Sequence, residues 1–165
     1  MQKIYIESTI PSYYTSKPSG DPIKRNWQII TKKFWNYATD FFDLYISTAV
    51  LFEIQRGNKE AAEARRLAVI PFKLLMVSSA DDDLTEIYVK LLKLPENARA
   101  DATHIAVACL HRMDYLITWN CNHIANGQNL KKIQDYNLKH KIHMPVLTTP
   151  ELFLGGGKKD ERLDN

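Results

Sequence analysis

Short apolar runs alternate along this chain with longer stretches whose apolar residues keep helical spacing. Lys3 to Glu7 (KIYIE) is β-branched and aromatic and gives way to polar Ser8 and Thr9, as a buried strand that stops abruptly does. Pro11 to Gly20 carries Ser, Pro and Gly and reads as a loop. Asp21 before Pro22 is a helix start, and Ile23, Trp27, Ile30, Phe34 and Trp35 continue that helix to about Ala38. A second strand is expected over Leu44 to Ile46. Ser47 or Thr48 then caps a helix over Ala49 to Arg56, which Gly57 ends. A helix over Lys59 to Ala68, a strand over Lys73 to Val77 and a Ser79-capped helix over Asp81 to Leu92 follow. Beyond Pro95, Asn97 caps a helix to about Arg112, and Tyr115 to Thr118 is the fourth strand. The loop Trp119 to Asn126, a helix over Leu130 to Lys139, a strand at Val146-Leu147 and a last turn at Thr149-Pro150 complete the order.

Strands this short and apolar, separated by helices, imply an α/β domain with a parallel sheet of about five strands covered on both faces. Its crossovers are right-handed. Ligands of such sheets bind beyond the carboxyl ends of the strands, where the strand order reverses. Three acids gather toward those ends: Glu7 closes the first strand, Glu53 lies in the helix after the second, and Asp101 opens the helix that feeds the fourth. Asn120 follows the fourth strand. Hard cations prefer oxygen ligands, so dispersed carboxylates that a fold can gather point to Mg²⁺ or Mn²⁺.

Each of these residues also has a plainer use. Glu7 could cap the turn after its strand, and Glu53 could pair with Arg56 or Arg65, although Phe52 and Ile54 flank it with apolar surface. Asp101 could complement a helix dipole, worth about 0.3–1 kcal/mol, a need that nearby Glu96 also meets. Asn120 reads equally well as a ligand and as a turn residue. Thr9 and Thr118 are candidates to orient water at the site, in competition with satisfying backbone groups. His104 follows Asp101 by one turn and can face the rim; His123, His140 and His143 carry weaker signals. Asp81, Asp82 and Asp83 read as decoration of a helix N-terminus. Trp119 could stack on a nucleobase, but packing beneath the site is its better-supported role.

Composition narrows the picture further. At 165 residues the chain is expected to form one domain over positions 1–154, followed by a disordered tail of glycines and charges over positions 155–165. A net charge of +3 permits a polyanionic partner without demanding one. Cys109 and Cys121 lack metal-ligand spacing and suit a reducing cytoplasm. No stretch approaches the roughly 20 apolar residues of a membrane span. No glycine-rich loop follows the first strand, which argues against nucleotide binding. The single acid there argues against a phosphatase or receiver domain.

The order of these pieces resembles the PIN-domain proteins, the metal-dependent nucleases that include VapC-type toxins of toxin–antitoxin pairs. The resemblance runs from Ile4 to about Leu154. It rests on Ile4-Tyr5-Ile6-Glu7-Ser8-Thr9, on Ser47 through Ile54 with Glu53, on Ala100-Asp101-Ala102 in an Ala-rich helix, and on Thr118-Trp119-Asn120. It implies a three-layer α/β/α fold and a Mg²⁺- or Mn²⁺-dependent endoribonuclease, with Glu7, Glu53, Asp101 and Asn120 as catalytic and metal-binding residues. Single-stranded or structured RNA is the implied substrate, a cognate antitoxin the implied partner, and homodimerisation common. The aromatic residues Trp27, Phe34, Trp35 and Tyr37 of the first long helix suit either such an interface or the core. Two departures stand out. Glu7 replaces the family's usual Asp, which moves the carboxylate by more than an ångström, and Asn120 is neutral. They motivate the alternative of a weakened or non-catalytic module that binds RNA or protein.

Overall fold

The computed structural model describes residues 1–155; the tail read from the sequence lies, beyond Gly155, outside the described residues. The chain runs β1 (Lys3–Ile6), α1 (Thr9–Thr15), α2 (Pro22–Phe41), β2 (Asp43–Ser47), α3 (Thr48–Ile54), α4 (Lys59–Val69), β3 (Lys73–Leu75), α5 (Ser79–Leu92), α6 (Arg99–Leu110), β4 (Tyr115–Ile117), α7 (Gly127–His140), β5 (Val146–Thr148) and α8 (Pro150–Phe153). A single 3₁₀ turn over Glu96–Ala98 leads into α6.

Local chemistry sets most of these boundaries. Asp21 accepts from the backbone N–H groups of Ile23 (2.8 Å) and Lys24 (3.1 Å), and Pro22 opens α2 at the position that needs no donor. Ser47 caps α3, Asn58 caps α4 and Asn126 caps α7. Helix α5 is capped by Ser78 rather than Ser79. Asp81 completes a capping box with it and is buried, so only Asp82 and Asp83 decorate the surface.

The segment from Pro11 departs from the loop expected of it: Thr9–Thr15 is a helix. Pro11 falls in its first turn, where backbone N–H groups have no intrahelical partner. Asn97 caps nothing and lies in the 3₁₀ turn. Helix α7 begins three residues earlier than Leu130, at Gly127, and α2 continues past Ala38 to Phe41.

All five strands pair in parallel in the order β3-β2-β1-β4-β5. The first connections move outward to β2 and β3; the chain then crosses to β4 on the other side of β1. Right-handed crossovers therefore put α2, α3 and α4 on one face and α5, α6 and α7 on the other. The contacts agree, with α1 against α2 and α4 on one side and α5 against α6 and α7 on the other. The order reverses between β1 and β4, which makes their carboxyl ends the expected ligand crevice.

Ile4, Tyr5, Ile6, Leu116 and Ile117 of the central strands are fully buried, with Phe34, Ile54, Ile105 and Val107 from the layers above and below. Phe34 and Trp35 are core residues; Trp27 is half-buried and stacks on Trp119, and Tyr37 stays exposed. Among the described residues no helix is long and apolar enough to cross a membrane.

Candidate metal centre

Side chains alternate across a strand, so Tyr5 and Glu7 project from β1 toward the same face. Glu7 lies one residue past the strand, its N–H still donating to the Ile117 carbonyl of β4 (3.2 Å). As a residue Glu7 is only 3 % exposed. Oε2 accepts from Thr9 Oγ1 (2.5 Å), Thr9 N (3.1 Å) and Thr118 Oγ1 (2.7 Å). Both threonines are themselves held: Trp119 N–H donates to Thr9 Oγ1 (2.9 Å) and Asn120 N–H donates to Thr118 Oγ1 (2.9 Å). The longer Glu side chain thus folds back so that one oxygen is spent on fixing the group. Oε1 accepts from Ser8 Oγ (2.6 Å).

Ser8 Oγ touches Glu53 Oε2 as well. A hydroxyl has one proton to give and stands here between two carboxylate oxygens, so one of the two contacts is left without a hydrogen. Two inward-facing carboxylates beside each other also call for positive charge. His104 supplies some of it. Its ring is fully buried, with Nε2 3.1 Å from Glu53 Oε2 and Nδ1 2.8 Å from Tyr5 Oη. Tyr5 Oη meets Ser47 Oγ at 2.7 Å, which in turn accepts from the Val50 N–H (3.4 Å) as the cap of α3.

The titration behaviour follows from this packing. Burial alone would raise the Glu53 carboxyl, but the hydrogen bond and charge of His104, helped by Ser8 and Arg56, outweigh it and hold the group below the ordinary glutamate range. Burial likewise opposes charge on His104, yet Glu53, with Glu7 and Asp101 beyond it, raises its pKa above the usual histidine value. Burial pushes the Tyr5 phenol far up, so it remains a hydroxyl. An ionised Glu53 can only accept, so His104 presents Nε2–H to it in both of its own protonation states; only the bond to Tyr5 reverses.

One oxygen each of Glu7 and Glu53 and a ring nitrogen of His104 lie within 4.8 Å of one another. The two carboxylates are the oxygen donors a hard divalent cation fits, and His104, its Nε2–H given to Glu53, orients one of them. The shared Ser8 proton and the excess of carboxylate over imidazole are the features such an ion would relieve.

Asp101 and Asn120 make their side-chain contacts with His123. Asp101, in the first turn of α6, faces His123 Nδ1 at 2.7 Å. Asn120 Oδ1 accepts from His123 N–H (3.1 Å), closing the turn after β4, which is the turn-residue role. Thr9 and Thr118 serve Glu7 directly. Trp119 packs beneath, its Nε1 donating to Thr31 Oγ1 (2.8 Å). Arg65 donates to the carbonyls of Ile54 and Arg56 instead of pairing with Glu53. His143 Nε2–H donates to the Met113 carbonyl (2.7 Å) and His140 stacks on Tyr136, both away from the centre.

Ser8, Tyr5 and Ser47 are the participants that reading the sequence did not place in the site, and His123, weighed there only as a weaker signal, meets Asp101. Tyr5 carried a usable signal, since a phenol inside a buried strand needs a polar partner.

The sequence matches no family model and no curated protein. Among solved structures the chain is similar to VapBC2 from Rickettsia felis bound to a DNA fragment from its promoter, at 14 % identity over 90 % of this chain and 98 % of that one, with a TM-score of 0.58. It is also similar to a toxin–antitoxin complex from Klebsiella pneumoniae, at 18 % identity over 89 % and 97 % of the two chains, TM-score 0.57. At such identities the likeness is one of fold. The chain has the three-layer, all-parallel PIN-like architecture, with an acidic cluster at its switch point.

Proposed function

We propose that this protein is a Mg²⁺- or Mn²⁺-dependent endoribonuclease that acts as the toxin of a toxin–antitoxin pair in the cytoplasm. The observation that carries the reading is the buried Glu7–Glu53–His104 cluster at the β1/β4 crevice. Glu7 and Glu53 hold the ion, and Asp101 joins them as a third carboxylate when His123 releases it. A hard cation at this place supplies Lewis-acid polarisation of a phosphodiester and makes a water more acidic. The chain's own part is positioning. Thr9 and Thr118 fix Glu7, His104 aims Glu53, and Asn120 holds the turn that carries His123. The similarity to VapBC2 and to a toxin–antitoxin complex supports an antitoxin partner; a homodimer is part of the same proposal.

The test is calorimetric titration of Mn²⁺ into wild type, Glu53→Gln and Asp101→Asn, followed by cleavage of single-stranded RNA with Mn²⁺ or with EDTA. Wild type should bind the ion and cut, Glu53→Gln should do neither, and Asp101→Asn should lose most of both. RNA cut equally fast by Glu53→Gln and wild type would sink the reading.

One observation favours a second reading, a weakened or non-catalytic binding module. Glu7 spends Oε2 on three hydrogen bonds within the protein, which leaves Oε1 to face an ion. Glu7→Asp discriminates the two. Faster cleavage marks a weakened enzyme; silence in both proteins marks a binding module.

A further inference from the structure

Helix α3 places Phe52 one residue before Glu53, and Phe52 is 63 % exposed. The Arg56 guanidinium lies over its ring, 4.7 Å from the centroid. Arg–Phe pairs at this helical spacing are common on surfaces; what distinguishes this one is its neighbour. Phe52, Glu53, Arg56 and Arg99 wall a single open groove of about 220 Å³ floored by small residues including Ala49 and Ala100. One wall of the groove is therefore the acid of the candidate metal centre. Its volume falls below the roughly 300–1,000 Å³ of pockets for drug-sized ligands, which suits a single planar ring.

Of the three charged side chains that line the groove, Glu53 faces the centre and Arg56 and Arg99 offer cationic donors for an anion. Among the described residues Arg56 makes no ion pair, so its fork of donors is available to a phosphate. Arg99, from the start of α6, is paired with Glu86 on one side and keeps further N–H donors. Exposed aromatic rings beside such cations are how single-stranded nucleic acids are held without sequence readout, each base stacking on a ring while arginines follow the backbone.

We propose that Phe52 and Arg56, with Arg99 opposite, form a nucleotide subsite of the centre, in which a base of single-stranded RNA stacks on Phe52 and its phosphate bonds Arg56. The inference rests on the nuclease reading above and assigns the nucleotide next to the scissile phosphate to the α3 side of the crevice. A base entering would take over the face of Phe52 that Arg56 now covers, and the guanidinium would swing onto the phosphate.

The experiment is fluorescence anisotropy with a labelled single-stranded RNA of about twelve nucleotides, in Ca²⁺ over a range of salt, for wild type, Phe52→Ala and Arg56→Ala. Cleavage in Mn²⁺ runs alongside, and circular dichroism confirms folding. Phe52→Ala should weaken binding about fivefold or more at every salt concentration, with an unchanged salt slope. Arg56→Ala should flatten the slope of log K against log salt by about 0.7, the signature of one lost phosphate contact on a single strand. Light-induced crosslinking of a 5-iodouridine RNA to wild type should map to the peptide of residues 49–56, which needs no variant at all.

Wild type that binds and cuts RNA while both variants match it, with crosslinks elsewhere, overturns the subsite and leaves the nuclease reading standing. Variants that bind RNA normally but lose a protein partner assign the groove to docking and overturn the subsite too. Wild type that neither binds nor cuts RNA overturns both.

Discussion

Glu53–His104 and Asp101–His123 are both carboxylate–imidazole pairs at the carboxyl rim of the sheet, yet only the first imidazole is gripped from behind. His104 has no exposed surface, and its second nitrogen meets Tyr5, which meets Ser47 at the start of α3. His123 keeps 36 % of its side chain exposed, and among the described residues nothing bonds its second nitrogen. The inner pair therefore behaves as part of the core and aims Glu53. The outer pair is closer (2.7 Å against 3.1 Å) but is a surface contact that can open. Hydrogen-bond length is a poor guide to which of two pairs is fixed; what stands behind the donor decides.

Removing each imidazole should separate the pairs most strongly in stability. His104→Ala leaves a cavity and takes the counter-charge from an inward-facing carboxylate, and should cost about 2–3 kcal/mol in urea unfolding. His123→Ala should cost about 0.5 kcal/mol or less, as exposed pairs do. Equal losses would mean that the two pairs are not different in kind. Next in size, Tyr5→Phe should weaken Mn²⁺ binding about tenfold, since groups that orient a metal ligand are worth about 10–100-fold in affinity. A titration curve that overlays wild type would make the Ser47–Tyr5–His104 chain mere packing.

The inner pair also gives stability a pH window, best measured in EDTA. His104 has a raised pKa when folded, so its contribution is complete below the unfolded histidine value, about 6.5, and is lost as pH rises through the folded value. Glu53 is lowered, so its contribution is present above the unfolded value, about 4.5, and is lost as pH falls through the folded one. The metal-free protein should therefore draw most from this pair between about pH 4.5 and 6.5. His104→Asn should remove that shoulder from the pH profile, and His123→Asn should leave it. Smallest of all, His123→Ala should tighten Mn²⁺ binding about two- to fivefold by releasing Asp101, which is what an exposed pair is worth. Weaker binding instead would make His123 a helper of Asp101 rather than its competitor.

The strands and most helices were legible because each depends on its own residues: a buried run such as Ile4-Tyr5-Ile6, or Asp21-Pro22 opening α2. Helix α1 was not, because its proline and serines belong equally to loops. Pro11 is harmless only at the helix start, and Ser12 and Thr15 turn their hydroxyls onto the carbonyls of Ser8 and Pro11. In the site, the carboxylates Glu7, Glu53 and Asp101 and the threonines Thr9 and Thr118 could be nominated from where they fall on strands and helices. Which of them meet could not. The Tyr5–His104 bond joins residues 99 positions apart and exists only because β1 and α6 pack face to face. The Asp101–His123 contact depends on how the turn after β4 folds, and that is set by Asn120.

The threonine tethers of Glu7 have a consequence for how this site fails. Trp119 and Asn120 belong to a loop, and loops ordinarily open at little cost while the sheet stays closed. Here their N–H groups end on the same two hydroxyls that hold Glu7 at the end of β1. Lifting the loop and losing the orientation of the acid are one event, and that event begins to part β1 from β4. Amide hydrogens of Trp119 and Asn120 should therefore exchange with solvent at the slow pace of the central strands. Warmed gradually, the molecule would keep its candidate centre in register almost until it melts.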